Sequence, residues 1–254
     1  MRVKCFVCAA PVEAPDVDAL EDAFVAHGQA AHNWDYPEQA VRNYARNYAE
    51  AEQRLRGRTE RLPAIGEVAV HLVTPERLDD WAQFFDHDGF AGNPEWASCY
   101  CMVMHAPPSP ELPERAWRWN RAAIIDRLRN GSALGYLAYV DGQPAGWVNA
   151  SLRNTYGFFK DVDPQGPAAA SVIGVSCFVV APPYRQHGVA SVLLDRVIAD
   201  AAGRGTTWIE GYPDNNPEDS DAAHFRGSRS MYEARGFRPI EGRGPLTVMR
   251  RAVG

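Results

Sequence analysis

The sequence lacks an apolar run long enough to cross a membrane, and it lacks the features of a signal peptide. No stretch approaches the roughly 18 apolar residues that a membrane-spanning helix requires. The opening residues MRVKCFVC contain only a short apolar part, and acidic residues follow soon after. These absences predict a protein that is not attached to a membrane and that lies in the cytoplasm.

Positive charge is also scarce. Lysine occurs only as Lys4 and Lys160, and 26 basic residues against 32 acidic residues leave a net charge of −6. A general nucleic-acid-binding protein needs a surplus of basic side chains facing phosphates, so this composition argues against that function. Hydrophobic residues make up 46% of the chain, which is ordinary for a globular protein with a sizeable core.

Cysteine is infrequent, and its placement is informative. The five cysteines are an odd number, which in a reducing compartment predicts thiols or metal ligands rather than a disulfide framework. Two residues separate Cys5 from Cys8, and after 18 further residues comes His27, followed by His32. Two cysteines on a tight turn and two histidines on a following helix suit tetrahedral coordination, which zinc favours. The pattern predicts a structural Zn²⁺ site at these four residues.

This segment resembles a two-Cys/two-His zinc finger in the types and order of its ligands. The usual finger has about twelve residues between its cysteine and histidine pairs, so the spacing here implies a longer connection. The alternative is that the cysteines pack in a small core and the histidines lie on a helix surface. DNA binding is not expected, because the helix sequence DVDALEDAFVAH is acidic where a phosphate-facing helix is basic.

A connection over 57–64 divides the chain into an N-terminal domain, residues 1–62, and a larger domain, residues 63–254. In the smaller domain, apolar spacing predicts one helix over Asp16–His32 and a second from about Pro37 to Arg56. We therefore expect the N-terminal domain to be small, helical and zinc-finger-like, with its second helix packed on the finger or on the larger domain.

The larger domain has the alternation of a mixed α/β fold. Apolar residues at period two and short buried runs predict strands, and longer periodic segments predict helices. Asp141-Gly142 between two strand patterns is a strong signal for a hairpin. The predicted strands cover 67–74, 96–105, 134–140, 144–152, 171–180, 206–212, 237–240 and 246–250, and the predicted helices cover 75–85, 113–130, 189–202 and 225–235.

The strongest motif is the loop Arg185-Gln-His-Gly188-Val-Ala190 between a buried strand and a helix. Gly188 allows a ligand to approach the backbone, and the helix start carries unpaired N–H groups and a partial positive charge. Arg185 adds a full charge, so the segment is predicted to bind an anion such as a pyrophosphate. The loop lacks the Gly-Lys-Ser/Thr of a P-loop and the three glycines of a dinucleotide fingerprint. A simple strand-to-helix turn is the alternative.

This loop resembles the acyl-CoA signature, R-x-x-G-x-A, of the GNAT superfamily of N-acetyltransferases. The segment Ser230-Met-Tyr232-Glu-Ala-Arg-Gly236-Phe237, which begins 40 residues after Ala190, is similar to that superfamily's helix whose tyrosine faces the thioester sulfur. With the order of elements, the resemblance covers residues 65–250. It implies an α/β (α+β) fold with a mixed, mostly antiparallel, splayed β-sheet flanked by helices.

The resemblance also implies the roles of site residues. Backbone groups of β-strand residues 178–180 would pair with the pantetheine arm of acetyl-CoA, and an N–H near Phe178 would stabilise the oxyanion. Tyr232 would act as a general acid on the departing thiolate, with a buried core tyrosine as the alternative. Phe225 stands where the family often has an asparagine, so the cofactor contact of that asparagine is not expected. The residues expected to contact the cofactor are Phe178, Val179, Val180, Arg185, Gln186, His187, Gly188, Val189 and Ala190.

The general base is predicted with several alternatives. Some superfamily members carry a glutamate on the central strand, where residues 173–176 of this chain offer none. Glu210, near the end of the next strand, is the first choice. His105, Asp214, His224 and a chain of waters are the alternatives.

The leading hypothesis is an enzyme that transfers an acetyl group from acetyl-CoA directly to a primary amine within a ternary complex. We expect a small-molecule acceptor such as an antibiotic or metabolite. Protein or peptide N-acetylation and a non-catalytic, zinc-containing acyl-CoA-binding regulatory module are the alternatives. The acidic segment 214–223 would favour a cationic acceptor, or it is a solvated loop. A homodimer is left open, and packing is the preferred role for Cys99 and Cys101.

Overall fold

The computed structural model describes residues 1–107, 116–214, 223–240 and 247–254. The strands are β1 (Arg2–Lys4), β2 (Pro11–Glu13), β3 (Val68–Leu72), β4 (Gly135–Val140), β5 (Gln143–Leu152), β6 (Val172–Val180), β7 (Trp208–Gly211), β8 (Arg238–Ile240) and β9 (Val248–Ala252). The helices are α1 (Val17–His32), α2 (Glu38–Arg54), α3 (Leu78–Gln83), α4 (Met102–His105), α5 (Trp117–Arg129), α6 (Val189–Ala201) and α7 (Arg229–Glu233). Within these ranges, no helix has the length and apolar content needed to cross a membrane.

The N-terminal region consists of the β1–β2 hairpin packed on helices α1 and α2. Asp16 caps α1 through its side chain, which accepts the Ala19 N–H at 2.9 Å. Asn33 ends the helix in a left-handed conformation, at φ 49°. The predicted first helix is therefore confirmed. Its apolar face joins a small core that contains Val3, Leu20, Phe24, Trp34, Val41 and Tyr48.

The described part of the larger domain is built on a seven-stranded sheet in the order β3-β4-β5-β6-β7-β9-β8. All neighbouring strands are antiparallel except β6 and β7, which are parallel. Because side chains alternate across a strand, Leu137 and Trp147 face a core shared with α3 and α5, and Tyr136 and Val148 face a core shared with α6. The sheet confirms the predicted mixed, mostly antiparallel fold flanked by helices.

The hairpin between β4 and β5 confirms the prediction made from Asp141-Gly142. Asp141 and Gly142 have φ angles of 49° and 78°, so both occupy the left-handed region that a type I′ turn requires. Glycine adopts this conformation without steric cost, and aspartate tolerates it.

The predicted strand over 96–105 is wrong. These residues follow a 3-10 turn at Pro94–Trp96 and lead into α4, and both Tyr100 and Cys101 have positive φ angles. The alternation of the sequence SCYCMVMH predicted a strand, but a compact turn buried on most sides produces the same pattern of apolar residues.

Other predicted elements differ at their ends. The helix predicted over 225–235 shortens to α7, because Gly227 adopts a φ of 80° and the Ser228 side chain caps the helix by accepting the Met231 N–H at 3.2 Å. The helix predicted over 75–85 divides into a 3-10 turn, α3 and a π-helical turn at Phe84–Asp88. The predicted start of α5 at 113 and the predicted start of β9 at 246 lie outside the described residues.

Helix α2 joins the N-terminal region to the larger domain. The Arg54 guanidinium donates to the Ala97 carbonyl at 2.8 Å and stacks over the Trp117 ring at 4.6 Å. The Asn47 side chain accepts the Trp117 N–H at 3.2 Å. These contacts hold α2 against the segment that precedes α4 and against the start of α5.

Candidate active site

A cavity of about 780 Å³ lies between β6, the start of α6 and two irregular segments. Its walls are mostly apolar. Strand β6 contributes Cys177 to Val180, and the loop before α6 and the first turn of that helix contribute a second wall. The third wall comes from residues 89–104 with Asn120, and the fourth from residues 224–231.

The cavity exists because β6 and β7 separate along their length. The two strands pair only from Val172 to Val175, because β7 ends at Gly211 while β6 continues to Val180. On the other side of β6, the register with β5 shifts after Asn149, which pairs with Cys177 while Ala150 pairs with Val175. This bulge leaves one extra residue in β6 and bends the strand where the sheet opens.

The start of α6 offers backbone N–H groups to one end of the cavity. Gly188 is the N-cap residue at a φ of 79°, and no side chain caps this helix. Val189, Ala190 and Ser191, the first residues of α6, line the cavity. Unpaired N–H groups at the start of a 13-residue helix form a suitable site for an anion.

Side chains of the same loop point to other parts of the protein. The Arg185 guanidinium donates to the Val180 carbonyl at 3.0 Å and to the Asn93 side chain at 3.2 Å. Gln186 accepts a hydrogen bond from Arg61, and the His187 ring contacts the Leu62 carbonyl at 2.9 Å. An anion at this loop would therefore meet mainly backbone groups. Of the residues predicted to contact the cofactor, all but His187 line the cavity.

The backbone N–H of Phe178 already has a partner. It donates to the carbonyl of Phe225 at 2.5 Å, across the gap between β6 and the segment before α7. This N–H is the group predicted to stabilise the oxyanion. A ligand can use it only after the Phe225 carbonyl moves away.

Tyr232 lies behind the wall of the cavity. Its side chain is fully buried, and its hydroxyl donates to the Arg226 carbonyl at 2.9 Å. Burial raises the pKa of the phenol above its ordinary value, and the Cys177 thiol adds to the shift. Cys177 lines the cavity and Tyr232 does not, so the protonated phenol lies behind the cavity wall with its hydroxyl proton bonded to the Arg226 carbonyl.

The structure argues against Glu210 as the general base. Its side chain is fully buried and lies outside the cavity walls. Arg153 donates to both carboxylate oxygens at 3.0 and 3.1 Å, Arg250 donates at 2.6 and 2.8 Å, and Tyr212 donates at 3.0 Å. A carboxylate that accepts this many hydrogen bonds, mostly from cations, is not free to take a proton from a substrate. Its position assigns it a structural role.

The alternative bases differ in access to the cavity. Burial lowers the pKa of His105 to about 4, and both ring nitrogens are engaged, by the Thr155 carbonyl at 3.1 Å and by the Asn149 amide at 3.1 Å. Asp214 forms an ion pair with Arg226 at 3.7 Å. His224 is exposed and lines the cavity, so it is the alternative that can reach a bound substrate.

The cysteines of the larger domain divide between core and cavity. Cys101 is fully buried, and its sulfur accepts the Trp147 indole N–H at 3.3 Å. Burial raises the pKa of this thiol, which keeps it protonated. Cys99 and Cys177 line the cavity. Sequence reasoning missed Asn120, which also lines it, because one asparagine on an amphipathic helix gives no signal.

The structure brings the four predicted metal ligands together. One donor atom from each of Cys5, Cys8, His27 and His32 lies within 4.8 Å of the others. The Cys5 sulfur is 3.4 Å from Nε2 of His32, and the Cys8 sulfur is 3.6 Å from Nε2 of His27. Zn–S bonds of about 2.3 Å and Zn–N bonds of about 2.0 Å in a tetrahedron place sulfur and nitrogen about 3.5 Å apart. The donor set therefore fits a zinc ion in type and in spacing.

Comparison with known families assigns the part of the chain from residue 96 to residue 237. The model of the acetyltransferase (GNAT) family matches residues 96–237, which is more than half of the chain. The chain therefore belongs to the GNAT acetyltransferase family. A separate match of 88 residues, at 34% identity, is to a phosphoenolpyruvate guanylyltransferase of Streptomyces scabiei. It covers 34% of this chain and 41% of that protein, so the chain spans less than half of the relative's length.

Solved structures resemble the chain more distantly. An N-acetyltransferase from Staphylococcus aureus Mu50 is 14% identical at a TM-score of 0.46, over 74% of this chain and 100% of that chain. A PaiA N-acetyltransferase from Thermoplasma acidophilum, solved in complex with coenzyme A, is 14% identical at a TM-score of 0.46, over 73% and 99% of the two chains. The family assignment rests on the family match and not on these similarities.

Proposed function

We propose that this chain transfers an acetyl group from acetyl-CoA to a primary amine of a small molecule, directly within a ternary complex. The observation that carries the proposal is the cavity that is lined by the end of β6, the start of α6 and apolar side chains. An acyl-CoA needs an anion site for its pyrophosphate, strand backbone for its pantetheine arm and a chamber where the acceptor meets the thioester. The residues that line the cavity include candidates for all three.

Acetyl-CoA binding is proposed to use mainly the backbone of this chain. The pyrophosphate binds at the N–H groups of Gly188 to Ala190, where the partial charge of α6 is positive. The pantetheine arm follows Phe178 to Val180, beyond the point where β7 ends. Entry of the thioester displaces the Phe225 carbonyl from the Phe178 N–H, which then donates to the thioester oxygen as its charge develops.

Direct transfer requires little from the protein beyond position and hydrogen bonds. The amine nitrogen attacks the thioester carbon, the carbon–sulfur bond breaks, and coenzyme A leaves as a thiolate that gains the proton lost by the amine. Tyr232 is proposed to donate a hydrogen bond to this sulfur, which requires its single hydroxyl proton to leave the Arg226 carbonyl that it bonds in the unliganded protein. The pKa of a phenol is ordinarily higher than that of a thiol, and burial raises the pKa of Tyr232 further, so a hydrogen bond is favoured over full transfer of the phenolic proton. His224 or water at the cavity carries the proton from the amine.

The proposal is tested by binding and turnover together. We expect isothermal titration calorimetry to detect acetyl-CoA binding, and thiol release to require an added amine from a panel of amines, amino acids, aminoglycosides and peptides. Release with small amines but not with peptides supports the small-molecule acceptor, and the reverse supports protein or peptide acetylation. Tight binding without release from any acceptor would favour the non-catalytic acyl-CoA-binding module. An absence of acetyl-CoA binding would refute the proposed function.

We also infer that Cys5, Cys8, His27 and His32 hold a structural Zn²⁺ ion. The fit of the donor distances supports this, and so does the small size of the N-terminal core, which gains from a cross-link. Elemental analysis of protein purified without chelators is expected to give about one zinc per chain. Cys8→Ser should lose zinc, whereas Cys99→Ser, outside the cluster, should retain it. Wild-type protein with far less than one equivalent of zinc would contradict the inference.

A further inference from the structure

The third wall of the cavity contains a buried acceptor atom without a donor. Asn120 lies on α5, is 3% exposed and lines the cavity. Its Nδ2 group donates to the Ser98 carbonyl at 2.8 Å. This bond fixes the orientation of the amide, because the side-chain oxygen cannot bond to another carbonyl oxygen. Among the described residues, no group donates to the opposite atom, Oδ1.

A buried oxygen of this kind is unfavourable in the unliganded protein. Buried side-chain oxygens nearly always accept a hydrogen bond, because burial removes their contact with water. Oδ1 is closed to solvent in the unliganded protein, so a ligand that brings an N–H or O–H donor into the cavity would complement it after a small side-chain movement uncovers the atom. A ligand group that can only accept hydrogen bonds, such as an ester or ether oxygen, would not satisfy it.

Neighbouring charged groups at the cavity are already connected to each other. The Asn93 side chain accepts from Arg185 at 3.2 Å and donates to Glu95 at 3.3 Å. This bridge joins the acidic and basic side chains that line the described walls. Among the described residues that line the cavity, Asn120 is the one whose buried side-chain oxygen has no hydrogen-bond donor.

The apolar surroundings indicate the body to which the donor is attached. The Trp96 and Phe225 rings both line the cavity and meet edge to face, with their centroids 5.8 Å apart. Val103 and Met104 add aliphatic surface. These side chains suit a flat or aliphatic group and offer few further polar contacts.

We propose that Asn120 is a specificity-determining residue that accepts a hydrogen bond from the acceptor's primary amine, while Trp96 and Phe225 contact its apolar body. The acceptor class is thus a primary amine carried on an aromatic or apolar group. An ammonium group makes a stronger hydrogen bond to Oδ1 than a neutral donor does. This inference rests on the proposed function, because it assigns the acceptor end of the same cavity.

Phenethylamine and phenethyltrimethylammonium test this site as a matched pair of probes. Both carry a positive charge and a phenyl ring, but the trimethylated probe has no N–H group. Binding of each to the full chain saturated with coenzyme A is measured by calorimetry. We expect phenethylamine to bind, and Asn120→Leu to weaken it by about tenfold or more while leaving the trimethylated probe unchanged. Ile124→Val, one turn further along α5, controls for looser packing of the helix.

The outcomes separate this proposal from the proposed function. Acetyl-CoA affinity measured with the same variants is expected to stay within twofold of wild type. Equal weakening of both probes in Asn120→Leu, or no binding of phenethylamine to the wild-type complex, overturns the assignment of Asn120. If Asn120→Leu does not fold, the same two affinities are measured with Asn120→Ser and compared with those of the wild type. Equal affinity of the wild type for the two probes overturns the assignment of Asn120. If the wild-type protein does not bind acetyl-CoA, the proposed function itself is overturned.

Discussion

Replacing Tyr232 with phenylalanine removes one hydroxyl and separates the structural role of this residue from its proposed role in catalysis. The hydroxyl donates to the Arg226 carbonyl at 2.9 Å, and the ring packs edge to face on Phe237 at 5.2 Å. Phenylalanine keeps the ring contact and loses only the hydrogen bond. The free energy of unfolding should therefore fall by about 1 kcal/mol, which corresponds to about 2–4 °C in melting temperature.

The expected catalytic effect is larger than the effect on stability. A hydrogen bond to a charged group contributes about 1.5–3 kcal/mol, so loss of the bond to the departing thiolate should lower kcat by about ten- to a hundredfold. Acetyl-CoA affinity should be unchanged, because the pantetheine and pyrophosphate contacts are proposed to be backbone contacts. Calorimetry with acetyl-CoA and thiol release at saturating amine measure the two quantities separately.

Tyr136→Phe is the matched control for this experiment. Tyr136 is also buried, and its hydroxyl bonds to Asp200 at 3.0 Å and to Arg204 at 2.9 Å, outside the residues that line the cavity. We expect the control to lose stability without a comparable loss of kcat. A kcat for Tyr232→Phe within twofold of the control would refute the catalytic role and leave Tyr232 as a core residue.

Three further predictions follow from buried groups. In Gly211→Ala the new Cβ would lie 2.3 Å from the Tyr232 ring, so chemical denaturation should show a loss of about 1–3 kcal/mol in the free energy of unfolding. An unchanged denaturation midpoint would contradict the close packing of Tyr232 on Gly211. The pKa of His105 is about 4 in the folded protein, below its value of about 6.5 in the unfolded chain. Its contribution to the free energy of unfolding is therefore fully present above pH ~6.5 and decreases by about 3 kcal/mol in total as the pH falls toward 4. His105→Gln should remove that part of the pH dependence of unfolding; an identical pH profile would exclude His105 as its source. Arg54→Met removes the bond to the Ala97 carbonyl and should raise KM for the amine with little change in acetyl-CoA affinity, whereas equal changes in both would show a general loss of structure.

The fold and the strand–loop–helix around Gly188 could be predicted from the sequence because their signals are local. The hairpin depends on two adjacent residues, Asp141 and Gly142, that tolerate positive φ. The helix start at Gly188 depends on one glycine after a buried strand. The strand predicted over 96–105 failed, since a short apolar run has the same pattern in a buried turn as in a strand.

The prediction of Glu210 as a base shows that the sequence pattern does not reveal which distant residues bond to a side chain in the folded protein. Its position near the end of a strand suggested access to the substrate. Arg153 and Arg250, which lie 57 and 40 residues away in the sequence, engage it in the folded chain. Asn120 is the reverse case, because nothing near it in the sequence indicates that it lines a cavity whose walls come from distant parts of the chain.

By itself, the sequence determined the family, the strand–loop–helix that offers backbone N–H groups, and the pairing of Cys5 and Cys8 with His27 and His32. These features depend on residue type and spacing within short segments, which fix backbone conformation and the direction of side chains. Only the tertiary structure decided which polar groups are free to meet a ligand. Whether an oxygen or a nitrogen is available depends on its burial and on hydrogen-bond partners that the fold brings from distant parts of the chain.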